Sequence, residues 1–263
     1  MRKATLAAAL TMSLALAAAA PAQPAERAAK RPTIVLVHGA FAESSSWNAV
    51  VTELLAKGYP VVAAANPLRS VKTDADYVSS VLKGIPGDVV LVGHSYGGEV
   101  ISVAANGAAN VKSLVYVAGY ALDAGESAVK MSMRFPEGTL GATLAPPVPE
   151  PGGGKDLYID PAKFRAQFAA DVPEAEAAAM AATQRPVTEA ALGEAVGPPA
   201  WKTLPSWFIY GELDKNIPRT AQAFMAKRAQ AKEAIEVAGA SHVVMISHPR
   251  EVAAMIERAA AAR

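Results

Sequence analysis

The chain has 263 residues, 52% of them hydrophobic, with 25 basic against 24 acidic side chains, four histidines and no cysteine. That balance offers no basic surplus to draw nucleic acid or an anionic membrane. Without cysteine there are no disulfides, thiol nucleophiles or cysteine metal sites, and the scattered histidines have no metal-ligand spacing, so no metal or organic cofactor is expected.

The chain opens with Arg2 and Lys3, runs through an apolar stretch over residues 6–20 and reaches Ala20-Pro21-Ala22. A basic start, an apolar segment and a small-x-small site form the layout of a secretory signal peptide, expected over residues 1–22 with cleavage after Ala20 or Ala22. The stretch is short and alanine-rich for a membrane span, which takes about 20 strongly apolar residues; an uncleaved anchor is the alternative. Losing Arg2 and Lys3 with the signal leaves the acidic residues one in excess. The expectation is a secreted or periplasmic protein with no stable membrane association after cleavage. Residues 23–31 read as a polar lead-in, and about 240 residues remain, suited to a single domain over 23–263. Nothing in the sequence fixes an oligomeric state.

Thr33-Ile34-Val35-Leu36-Val37 is a continuous apolar, β-branched run, and residues 60–65, 88–92, 113–117, 205–210 and 234–237 resemble it. Continuous rather than alternating apolar runs indicate strands covered on both faces, as in a parallel sheet. Helical patterns fall between them over residues 46–57, 74–82, 97–105, 220–229 and 250–260, with Pro218 and Pro249 placed where a first helical turn tolerates proline. Alternating strands and helices predict an α/β fold, a doubly wound, mostly parallel sheet of about six strands. Residues 121–204, inserted after the fourth strand, break the rhythm: no strand is evident, a Pro/Gly loop spans 146–154, and alanine-rich helices are expected over 161–170, 173–183 and 188–195. Insertions at the carboxyl ends of parallel strands are where such sheets bind ligands. The segment is read as a helical lid, with an ornamental insertion as the alternative.

The sharpest motif is Gly93-His94-Ser95-Tyr96-Gly97, directly after the strand at 88–92 and directly before the helix at 97–105. A nucleophile must stand clear of the backbone, so this turn is sharp, and small flanking residues avoid a clash. The helix that follows aims its positive end at a developing oxyanion. An ordinary strand-to-helix turn with an incidental serine is the competing reading.

Together with Val35-Leu36-Val37-His38-Gly39-Ala40, Gly211-Glu212-Leu213-Asp214-Lys215-Asn216-Ile217-Pro218 and Gly239-Ala240-Ser241-His242, this motif resembles the α/β-hydrolase family across the whole mature region. The resemblance is nearest to compact, signal-bearing esterase-like members and to the plant methylesterase and hydroxynitrile lyase branch. It implies a catalytic triad in the order Ser95, Asp214, His242, with Asp214 accepting the imidazole N–H and His242 as general base. Glu212 and Asp123 are alternatives for the acid; His38, His94 and His248 are the other histidines. Tyr96, following the nucleophile, supplies one oxyanion-hole N–H, and the resemblance assigns the second to Ala40. Family lyases carry threonine where this chain has Gly39, and a lysine near the catalytic histidine; here Val243, Val244 and Met245 follow His242, which favours ester hydrolysis. Phe41, Tyr120 and Trp201 are candidate substrate-binding residues, with Met131, Met133 and Phe135 nearby and Arg134 as a candidate carboxylate partner; the alternative is core for each apolar residue and a solvated side chain for Arg134.

The leading expectation is hydrolysis of a small-molecule carboxylic ester through an acyl-enzyme. Cofactor-free perhydrolysis of the haloperoxidase kind, or acyl transfer, would use the same triad, and a catalytically silent binding protein on this scaffold is the third reading.

Overall fold

A computed structural model describes residues 31–262. The expected signal peptide, 1–22, lies outside the described residues. Six strands make one sheet: β1 Thr33–Val37, β2 Val61–Ala64, β3 Val89–His94, β4 Val111–Val117, β8 Ser206–Gly211 and β9 Glu233–Val237, in the order β2-β1-β3-β4-β8-β9. Every neighbouring pair is parallel. β3 and β8 are buried along their whole length, which is why their sequences are continuously apolar. β9, at the edge, alternates half-buried and exposed residues.

Helices join the strands: α1 Asn48–Ala56, α2 Val71–Lys83, α3 Gly97–Ala104, α8 Arg219–Arg228, the short α9 Val244–Ser247 and α10 Pro249–Ala261. α1 packs on α10 and α2 on α3. This is the pairing that right-handed crossovers produce, because the chain steps from β1 outward to β2 and then back past β1 to β3. The reversal leaves a crevice at the carboxyl ends of β1 and β3, where sheets of this kind bind ligands.

The insertion between β4 and β8 holds helices α4 Ala128–Arg134, α5 Pro161–Phe168, α6 Glu174–Thr183 and α7 Glu189–Gly193. It is not purely helical as expected. Strands β5 Val148–Pro149, β6 Lys155–Leu157 and β7 Val187–Thr188 form a small antiparallel sheet. Strands of two or three residues are too short to carry a sequence period, and one of them lies inside the Pro/Gly loop. The insertion closes on itself at its base. Trp201 Nε1 donates to Leu122 O at 2.8 Å, and Gly125 and Val196 with Glu126 exchange backbone bonds at 2.9 Å.

Candidate active site

Ser95 sits on the turn between β3 and α3 with φ 52°, a left-handed conformation that a non-glycine residue adopts only under constraint. The constraint is close packing. A Cβ at Gly97 would stand 2.5 Å from Val37 O, so the helix can press against β1 only with glycine there. A Cβ at Gly39 would lie 2.5 Å from Ser95 Cβ, so the turn after β1 abuts the serine directly and leaves no room for the threonine of the lyases.

His242, in the loop after β9, donates from Nδ1 to Asp214 Oδ2 at 2.8 Å, and both side chains are fully buried. Asp214 Oδ1 accepts the backbone N–H groups of Asn216 at 2.8 Å and Ile217 at 3.0 Å, so the carboxylate is fixed from two sides. His242 Nε2 is buried and has no hydrogen-bond partner among the described residues. His94 Nε2 donates to His242 O at 3.2 Å, and the two rings lie 4.8 Å apart. Burial, then the adjacent His242, hold His94 well below the ordinary histidine pKa, so it stays a neutral strut. The Phe168 ring meets His242 edge-on at 5.1 Å and also lines the cavity into which Ser95 opens.

That cavity, about 520 Å³, is walled largely by apolar side chains of the insertion, among them Met133, Leu140, Leu144, Leu157 and Leu192. Ala40, Phe41, Ser95, Tyr96 and Tyr120 all border it. Trp201 does not. It lies at the base of the insertion, its indole held by Leu122 O and its ring 5.5 Å from the Arg228 guanidinium, bordering a different surface depression. The expectation for Trp201 is therefore corrected: its one polar atom closes the root of the insertion. Arg134 likewise faces away, stacked on Phe224 at 4.1 Å, and Phe135 packs on the same ring at 5.5 Å. Met131 is core, with 2% exposure.

The rival acids are occupied elsewhere. Lys202 binds Asp123 at 2.5 Å and holds its carboxyl below the usual range, and Glu212 accepts Gly239 N–H at 2.9 Å. His38 accepts Asn66 N–H at 3.0 Å, and His248 lies 2.9 Å from the Ser247 hydroxyl. Of the amides in the two turns after β1 and β3, Ser95 N–H is used by Val117 O and Phe41 N–H by Arg185 O, whereas Ala40 and Tyr96 N–H find no backbone acceptor among the described residues.

Two groups of residues escaped the sequence reading. Phe168 ends α5, where an aromatic in an alanine-rich stretch reads as generic core. Asn66, Arg69 and Asp74 lie in and after the β2–α2 loop, where polar residues read as surface; yet Asn66 and Asp74 are fully buried. Among the described residues no cluster of three metal-ligating side chains exists, and no helix is long and apolar enough to cross a membrane.

The sequence pattern of a family described as "Alpha/beta hydrolase family" matches residues 34–255. An alpha/beta hydrolase of Aspergillus novofumigatus is 27% identical over 250 residues, spanning 88% of this chain and 97% of that one. The crystal structure of polyneuridine aldehyde esterase superposes with a TM-score of 0.74 at 18% identity, over 87% of this chain and 98% of that one. A methylesterase from Arabidopsis gives 0.71 at 19% identity, over 88% and 100%.

Proposed function

Because this chain belongs to the alpha/beta hydrolase family, we propose that it cleaves small carboxylic esters through an acyl-enzyme on Ser95. The observation that carries this reading is the buried His242–Asp214 pair, whose free Nε2 shares the Phe168 ring with the cavity that receives Ser95. The structural relatives named as an esterase and a methylesterase support an ester as the bond broken.

In the reaction, Ser95 Oγ adds to the ester carbonyl while His242 Nε2 takes its proton, and Asp214 stabilises the imidazolium. The N–H groups of Ala40 and Tyr96 receive the developing oxyanion; one such donor is worth about 10²–10³ in rate. Collapse expels the alcohol, protonated by His242. A water deprotonated by the same nitrogen then releases the acid. The apolar walls favour short acyl or aryl groups over charged ones. Residues 1–22 support action outside the cytoplasm, in the periplasm or the medium.

The test is turnover of p-nitrophenyl butyrate by wild type and Ser95→Ala, beside active-site titration with a fluorophosphonate. Hydrolysis and labelling both vanish in the variant on this reading. Wild-type turnover in Ser95→Ala, or a label on another residue, ends it.

A further inference from the structure

One loop touches both turns that flank the serine. Asn66, just after β2, donates its backbone N–H to His38 Nε2 at 3.0 Å and its side-chain amide to His38 O at 2.9 Å, bracing the turn that carries Ala40. Asp74, in the first turn of α2, accepts the Tyr96 hydroxyl on Oδ2 at 2.9 Å, bracing the turn that carries Tyr96. Between them, Arg69 donates its backbone N–H to both Asp74 oxygens, at 3.2 and 3.1 Å.

The side chain of Arg69 points the other way, into the insertion. Its guanidinium reaches Glu150, just after β5, at 2.5 Å, Asp156 in β6 at 2.8 Å and Pro186 O, just before β7, at 2.8 Å. β7 returns the contact. The Thr188 hydroxyl donates to Arg69 O at 2.7 Å and Thr188 N–H to Leu68 O at 3.1 Å. Two residues before β7, Arg185 O accepts Phe41 N–H at 3.0 Å, next to Ala40, and its side chain pairs with Glu43 at 2.8 Å. Leu68 is held at φ 62°, a conformation that leucine does not take unless its surroundings enforce it.

We infer that Arg69 and Asp74 are positioning residues that couple the seating of the insertion's small sheet to the geometry of the two backbone donors at Ala40 and Tyr96. Neither side chain borders the cavity, so neither reaches substrate directly. Bonds to a charged guanidinium are stronger than neutral ones and fix orientation as well. Losing them would free the β2–α2 loop, and with it the angle of both donors. The insertion would then do more than enclose the substrate: the anion-stabilising geometry is complete only when it is docked. The kinetic part of this inference rests on the proposed ester hydrolysis; the structural part does not.

The experiment compares wild type with Arg69→Met, Arg69→Lys and Tyr96→Phe by steady-state kinetics on p-nitrophenyl butyrate and by hydrogen–deuterium exchange. In Arg69→Met, kcat falls about tenfold, less than the 10²–10³ that outright loss of an oxyanion donor costs because the donors are misaligned rather than removed, while KM stays within about twofold. Exchange quickens at residues 145–160 and also at residues 38–42 and 95–98. Arg69→Lys, which keeps the charge but not the fork, gives the same pattern at smaller amplitude and serves if Arg69→Met does not fold. Tyr96→Phe cuts the other end: exchange quickens at 95–98 while 145–160 stays as in wild type. Faster exchange confined to 145–160 in the arginine variants, or a raised KM with kcat unchanged, overturns the coupling. Faster exchange at both turns with undiminished kcat upholds the coupling and instead refutes the assignment of those amides as oxyanion donors.

Discussion

Glu99 lies on α3, four residues beyond Ser95, fully buried, with neither carboxyl oxygen hydrogen-bonded among the described residues. Burial, reinforced by the negative charge of Glu194, pushes its pKa well above the ordinary 4.5. The consequence for folding has a definite sign. Both states are protonated below pH 4.5, so nothing is lost there. As pH rises from that value toward the folded pKa, the unfolded chain ionises first, and stability drops by about 1.4 kcal/mol per pH unit. Glu99→Gln keeps the shape and removes the ionisation. Its melting temperature should match wild type below pH 4.5, exceed it increasingly as pH rises, and level off above the folded pKa. A melting-temperature difference independent of pH would show that Glu99 is not a buried neutral acid. Such a group was invisible in the sequence, because no local pattern separates a buried helical glutamate from a solvated one.

At the scale of elements, the insertion meets the sheet through α5. Phe168, at the end of that helix, contacts His242, His94, Phe41 and Phe164 with ring centroids 5.0 to 6.3 Å apart. Removing such a buried ring costs about 3–5 kcal/mol, so Phe168→Ala should lower the urea midpoint accordingly. It should also reduce kcat, because the edge that fixes the imidazole is gone. Phe168→Leu should recover most of the stability. A loss under about 1 kcal/mol in the alanine variant would show that the ring is not packed in this way. The sheet itself was legible because a strand buried on both faces needs a continuous apolar run, and β1, β3, β4 and β8 each hold one. The contents of the insertion were less so. α4 is capped by Ser127, whose hydroxyl accepts Lys130 N–H at 3.2 Å, a signal with only seven helical residues behind it. Trp201 was misplaced because an aromatic near the end of an insertion reads the same whether it faces a substrate or a backbone carbonyl.

For the whole molecule, the candidate triad Ser95, Asp214 and His242 came from the family resemblance, and each of these residues follows a strand end, on the edge where parallel strands gather their ends. Distances between loops carry no such signature. The part played by Asn66, Arg69 and Asp74 depends on a loop meeting an insertion far along the chain, which no local pattern encodes. Export belongs to this scale as well. If residues 1–22 direct secretion, Edman sequencing of protein recovered from the medium or periplasm should begin at Pro21 or Gln23. An intact Met1 on exported protein would exclude cleavage.

The hydrogen bond from Trp201 to Leu122 O bears on how far the insertion can vary. It turns the stretch between them into a cassette with its two ends already joined, so exchanging the contents need not disturb the strands on either side. Doubling the length of such a loop adds only about 0.6 kcal/mol of closure entropy. The cavity walls carried between Leu122 and Trp201 can thus vary in length at little entropic cost, provided that Phe168 and the carboxylates that hold Arg69 keep their contacts.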